Sequence, residues 1–135
     1  MIGLSIAKFY SALGYSVVVL EKESRAGEGI SSRNSGVIHG GIYYPANSLK
    51  TKFCIEGNKM LYKYAKLKNI SHQKLGKYII ASQDSDLGKL DKIYEQGISN
   101  GAIIKRCSKD EMQAEYPDLI VAGGIYSSET GIIDV

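Results

Sequence analysis

The opening residues Met1-Ile-Gly-Leu-Ser-Ile-Ala7 constrain the chain most, because they read as the end of a glycine-rich loop running into an apolar helix. In the GxGxxG fingerprint of dinucleotide-binding folds, glycines follow a buried strand, let backbone approach a pyrophosphate, and aim a helix N-terminus at its charge. Only the third glycine, Gly3, stands here. A helix is expected over residues 4–13 with Gly14 as its cap, then a buried strand over 16–20 (Ser-Val-Val-Val-Leu) with Glu21 at its end. Glu21 follows Gly3 by 18 residues, near the ~20 expected of an acid that holds ribose hydroxyls. The expectation is a piece of a larger nucleotide-binding enzyme.

The length of 135 residues fits one small domain and is short for a cofactor domain plus a substrate domain. Hydrophobic residues make up 44% and charged residues 23%, the balance of a soluble globular chain. No apolar run approaches the ~20 residues that span a bilayer. Lys8 and Tyr10 interrupt any signal-peptide apolar region, so a cytoplasmic location is expected, including a peripheral one at an inner membrane. The net charge of +3 is spread over lysines near acids, as in Lys52, Glu56 and Lys59, which argues against a nucleic-acid partner. Cys54 and Cys107 lack metal or redox spacing and are expected to be small buried hydrophobes. No metal site is expected.

Residues 27–44 crowd Gly27, Gly29, Ser31, Ser32, Arg33, Asn34, Ser35, Gly36, Gly40 and Gly41 together. Such residues build no core and suit the lining of a polar site. Pro45 and Asn47 turn the chain, and an amphipathic helix is expected over 49–66 from Phe53, Gly57, Met60, Leu61 and Tyr64. A strand at 77–81, a helix from the Asp84-Ser-Asp86 caps to Asn100-Gly101, and a strand at 102–105 follow. Ser108-Lys-Asp-Glu111 has capping-box form and opens a short helix that Pro117 ends. Strand character returns over 119–127. The composition shift near residue 70 predicts a boundary between a cofactor region, 1–69, and the beginning of a substrate region, 70–135.

An acid at the end of the second strand favours NAD or FAD over NADP, and the long Gly/Ser/Arg/Asn loop after Glu21 favours FAD. The run Ser31-Ser-Arg-Asn-Ser-Gly-Val-Ile-His-Gly-Gly-Ile-Tyr-Tyr44 after V-V-V-L-E-K-E resembles the flavin loop of the FAD-dependent D-amino-acid oxidase (DAO) superfamily. The resemblance is nearest to L-2-hydroxyglutarate oxidases and dehydrogenases. Residues 52–62, the Tyr116-Pro-Asp-Leu119 turn and Thr130-Gly-Ile-Ile-Asp134 fit the same family.

The resemblance implies an α/β fold: a partial Rossmann-like FAD-binding domain of the DAO/glutathione-reductase type plus the start of an α+β substrate domain. It implies that Gly3 closes the pyrophosphate loop and that Glu21, with Lys22 beside it, holds the adenosine ribose. Ser32, Arg33, Asn34 and Ser35 would contact pyrophosphate or ribityl oxygens, and Val37, His39, Gly40 and Gly41 would run past the isoalloxazine. His39 is the candidate flavin contact; Tyr43 and Tyr44 are expected to be core, and His72 has no role. No catalytic base is assigned. The implied chemistry is hydride removal from C2 of a 2-hydroxy acid, L-2-hydroxyglutarate, giving 2-oxoglutarate, with oxygen or a quinone as electron acceptor. The alternatives are a sibling flavoenzyme acting on glycerol 3-phosphate or an amino acid, an NAD-binding domain, and a non-catalytic remnant. Activity of residues 1–135 alone is not expected.

Overall fold

A computed structural model describes residues 1–134, which divide into two compact units, Met1–Ser35 and Gly36–Asp134.

In the first unit, α1 (Ile2–Ala12) ends where Gly14 takes a φ of +87°, a conformation that costs a residue without Cβ little. The Gly14 N–H then donates to Ser11 O (3.0 Å) and the Tyr15 N–H to Tyr10 O (3.1 Å), the paired bonds of a Schellman cap. Tyr10 packs edge-on against both Phe9 and Tyr15. Residues 16–20, expected as a buried strand, have no ladder partner among the described residues and are exposed. Their side chains still alternate, Val17 and Val19 at 39% and 50% exposure against 81% and 92% for Val18 and Leu20. β-branched residues supply an extended rhythm; a strand also needs a neighbour. No described residue of this unit is buried.

The second unit holds two three-stranded antiparallel sheets. The larger joins β3 (Lys77–Ala81), β4 (Ile104–Ser108) and β5 (Gly123–Ser127) in the order β3-β5-β4; the smaller joins β1 (Val37–Ile38), β2 (His72–Gln73) and β6 (Gly131–Ile133) in the order β1-β6-β2. Because strand side chains alternate, β5 serves two faces. Ile125 and Ala81 pack with Leu90 of α3 (Leu87–Ser99). On the other face Cys107 packs with Met112 of α4 (Lys109–Glu115) and with Val121. Gly124 lets that second helix approach, since a Cβ there would lie 2.5 Å from Met112 Sδ.

Helix ends follow local chemistry. The Ser48 hydroxyl accepts the Thr51 N–H (3.1 Å) at the start of α2 (Leu49–Leu67), and Asn69, at φ +54°, ends it while the Ile70 N–H donates to Ala65 O (2.9 Å). A 3-10 turn, Asp84–Asp86, leads into α3, which closes at Gly101 with the Ala102 N–H on Gly97 O. Ser108 and Glu111 form the expected capping box.

Two strand positions are corrected. β4 begins at Ile104 and not 102, because Ala102 completes the α3 cap; β5 begins at Gly123 and not 119, because the Leu119 N–H is tied to Tyr116 O in a turn. Cys107 is buried as expected, but Cys54, on α2 beside Gly41, is only half-buried. The mixed helix-and-sheet class is as expected, and every described strand pair is antiparallel. The expected boundary at 69/70 falls within the second unit, directly after the α2 cap.

Candidate functional site

The expected cofactor residues fall into two groups, one in each unit. In the first unit Gly3 lies in the first turn of α1, with open space where a Cβ would be, and lines a groove of about 520 Å3 with Ile6, Ala7, Tyr10 and residues 15–20. Glu21 is exposed, its Oε1 accepting the Glu23 N–H at 3.1 Å, and Lys22 makes an exposed ion pair with Glu23. Ser32 lies in the 3-10 turn Ile30–Ser32, its hydroxyl donating to Gly29 O (2.8 Å) and Glu28 O (3.1 Å). Asn34 Nδ2 donates to Ser31 O. These bonds fold a tight polar turn, whose Glu28 carboxyl is held below its ordinary range by Arg25 and Ser24. Arg33 and Ser35 are exposed, and Arg33 has no carboxylate partner among the described residues.

In the second unit Val37, His39, Gly40 and Gly41 form one continuous strip from β1 into the following loop. Val37 pairs with Ile132 on β6. The His39 side chain is exposed, while its carbonyl accepts Asn58 Nδ2 of α2 at 3.0 Å. Gly40 is buried against the β5–β6 turn: a Cβ would stand 2.8 Å from Ser127 Oγ, which is itself hydrogen-bonded to Thr130 Oγ1. Gly41 has a φ of +77°, and its Cβ would meet Ile55 Cδ1 at 2.5 Å. Both glycines are therefore required, one by close approach and one by conformation as well.

Two residues without an expected role hold this strip. Asn58, 6% exposed in mid-α2, donates to His39 O and to Glu129 O (2.8 Å). Asn100, the α3 cap, donates to Gly41 O (3.1 Å), Ile42 O (3.3 Å) and Tyr44 O (2.8 Å). The signal that could have found Asn58 is a poor helix former amid helix-forming neighbours, since a mid-helix asparagine is kept by something it bonds. Asn100 read only as a helix stop.

Tyr43 and Tyr44 are not core as expected. Tyr43 is 48% exposed with the Lys77 ammonium 4.6 Å from its ring centroid, and Tyr44 is half-buried beneath Lys50 at 4.1 Å. Each ring offers its face to a cation, which keeps it at the surface. Burial and the neighbouring Cys54 thiol raise the Tyr44 pKa above its ordinary value. His72, without an expected role, pairs on β2 with Ile133 and bonds Ile70 O through Nδ1. Among the described residues no group of acids, histidines and cysteines could hold a metal, and no helix is long and apolar enough to cross a membrane.

A family model described as FAD dependent oxidoreductase matches residues 1–135. The chain is 40% identical to the mitochondrial L-2-hydroxyglutarate dehydrogenase of Arabidopsis thaliana over 99% of its own length and 28% of that protein's. Among solved structures, the L-alpha-glycerophosphate oxidase of Mycoplasma pneumoniae with FAD bound matches 75% of this chain and 28% of its own, at a TM-score of 0.65 and 29% identity. Glycine oxidase of Bacillus cereus matches 96% of this chain and 36% of its own at a TM-score of 0.71; at 20% identity that likeness concerns the fold. The chain thus spans little more than a quarter of the curated relative it matches over nearly its whole length.

The expected cytoplasmic or peripheral inner-membrane placement is overturned by the relatives from Arabidopsis thaliana, Dictyostelium discoideum and Homo sapiens, all named mitochondrial. An interrupted apolar start and the absence of a spanning helix among the described residues do not decide a compartment. Over its full length, this chain belongs to the FAD dependent oxidoreductase family of the DAO type.

Proposed function

We propose that this chain supplies part of the flavin site of an enzyme that oxidises L-2-hydroxyglutarate to 2-oxoglutarate. The observation that carries the reading is the family match over residues 1–135, and the exposed side chain of His39, at the end of β1 between buried Ile38 and Gly40, supports it. Bound FAD supplies the acceptor for the hydride that leaves C2 of the hydroxy acid.

The chain's own residues bind and orient. Val37, His39, Gly40 and Gly41 border the ring. Gly3, Glu21, Lys22, Ser32, Arg33, Asn34 and Ser35 serve the adenosine, pyrophosphate and ribityl portions, with Glu21 accepting ribose hydroxyls and Arg33 giving a guanidinium to phosphate oxygens. The region 70–135 begins the substrate side. Oxygen or a quinone takes the electrons onward, and the proton of the substrate hydroxyl goes to a base outside the residues named here. The mitochondrial relative at 40% identity supports the hydroxy-acid substrate. The glycerophosphate oxidase at 29% identity supports a second reading, glycerol 3-phosphate as substrate.

Titration of the chain with FAD and, separately, with NAD tests the cofactor. Binding of FAD with changes in its fluorescence, and none with NAD, is expected; the reverse preference would end the flavin reading. In the longer protein, anaerobic L-2-hydroxyglutarate is expected to bleach the yellow flavin while glycerol 3-phosphate leaves it oxidised, and the opposite result selects the second substrate.

A further inference from the structure

We propose that the cleft between β3 and the turn after α4 is a binding site for a small organic cation carrying an alkylated ammonium group; the proposal stands apart from the flavin reading. The cleft has a volume of about 630 Å3, within the range of small-molecule sites. Its walls are the rings of Tyr78 and Tyr116 with Ile80, Pro117 and Leu119, and the carboxyl-bearing residues Glu115 and Asp118 complete the lining. Neither carboxylate makes an ion pair among the described residues. None of these residues belongs to the strip at 37–44 or to the candidate cofactor residues of the first unit.

The walls are in place before any ligand arrives. Tyr78 pairs with Tyr126 across β3 and β5, the two rings pack at 4.8 Å between centroids, and the Tyr78 hydroxyl donates to Glu115 Oε2 at 2.9 Å. Tyr116 closes α4 through its N–H on Met112 O (2.8 Å) and stands edge-on to Tyr78, with 81° between the ring planes. The Leu119 N–H donates to Tyr116 O (3.0 Å) and Gln113 Nε2 donates to Leu119 O (3.3 Å), so the turn that carries Pro117 and Asp118 is tied at both ends. Pre-formed walls spare a ligand much of the ordering cost of binding.

Aromatic faces attract cations through the ring quadrupole, and two carboxylates without a cation add charge of the complementary sign. The same carboxylates repel an anion, so the cleft suits no hydroxy acid. Alkyl groups on the nitrogen fit against Ile80, Pro117 and Leu119, whereas the N–H donors of a primary ammonium would be left facing those apolar walls unpaired. Lys105 stands by the Tyr126 ring, 5.8 Å from its centroid, and does not line the cleft.

Titration of the chain with choline chloride, followed by NMR at constant ionic strength, is compared with neohexyl alcohol, the neutral isostere in which carbon replaces nitrogen. Saturable shifts at Tyr78, Ile80, Tyr116 and Leu119 are expected for choline, with the alcohol at least about three-fold weaker. Glu115→Gln keeps an oxygen for the Tyr78 hydroxyl and removes the charge, and Tyr116→Leu removes a ring. Each is expected to weaken choline by about three-fold or more, the size of a cation–aromatic contact at a partly exposed site, while the β5 amides keep their protection from exchange. No saturable shift with choline overturns the proposal. So do equal affinities for choline and the alcohol, which would leave an apolar cleft that does not recognise charge. Weakening by Glu115→Gln with none by Tyr116→Leu would reduce the site to an acidic surface and overturn it as well. If Tyr116→Leu fails to fold, the comparison of choline with its isostere and the Glu115→Gln affinity still decide between these outcomes.

Discussion

The Tyr78 hydroxyl donates to Glu115 Oε2 at 2.9 Å, and its ring meets Tyr116 edge-on at 5.9 Å in a cleft of about 630 Å3 shared with Ile80, Pro117, Asp118 and Leu119. That bond favours the neutral phenol and pushes its pKa up to about 12, with burial adding to the effect. Because the folded value is raised above the ordinary 10, the bond's stabilisation is complete below about pH 10 and fades as pH climbs toward 12. A spectroscopic phenolate titration should find Tyr78 ionising after an unperturbed tyrosine, and Tyr78→Phe should flatten the fall in stability across that window. An unchanged slope in the variant would show that the bond is not formed. Single residues differ in how far they can be read from sequence. The Gly40-Gly41 pair stood out because small residues crowd around it, whereas Asn58 became meaningful only once folding brought the Glu129 carbonyl, 71 positions away, beside it.

At the scale of elements, the parts legible in sequence were those whose causes are local. The caps at Gly14, Ser48, Asn69, Gly101 and Ser108 end or begin helices through neighbours within a few positions, and the four described α-helices lie close to their expected bounds, but α2 buries Thr51, Asn58 and Ala65 while the expected apolar face of Phe53, Met60, Leu61 and Tyr64 is exposed. Strands depend on partners that no window of sequence contains. The Val-rich segment at 16–20 has the residues of a strand and no described neighbour, while Lys105 and Arg106 belong to β4 because β5 lies alongside. The capping box of α4 gives a direct test. Ser108→Ala removes the acceptor for the Glu111 N–H, and a loss of about 1 kcal/mol is expected in urea unfolding. The Glu111 carboxyl, held below its usual range mainly by its bond from the Ser108 N–H, contributes stability above its ordinary pKa that is lost on acidification. A Ser108→Ala protein as stable as its parent would remove the box from the account of α4.

For the whole molecule, the division at Ser35/Gly36 separates a unit with no buried described residue from one with two apolar clusters. Native-state exchange should therefore protect amides of β5 at least about a hundred-fold more than those of residues 16–20; equal protection would contradict the exposure of that segment. The scattered lysines and the mixed fold class were readable in advance, but the division was not, since it depends on which elements find partners. The order in which those partners are made has its own consequence. β6 is the middle strand of the smaller sheet, pairing with both β1 and β2, and Ile38 meets Gly131. At ribosomal rates of about 5–20 residues per second, the glycine strip emerges several seconds before the strand that will fix it. During translation, β1 must wait, unsheeted, for the last few residues of the described chain.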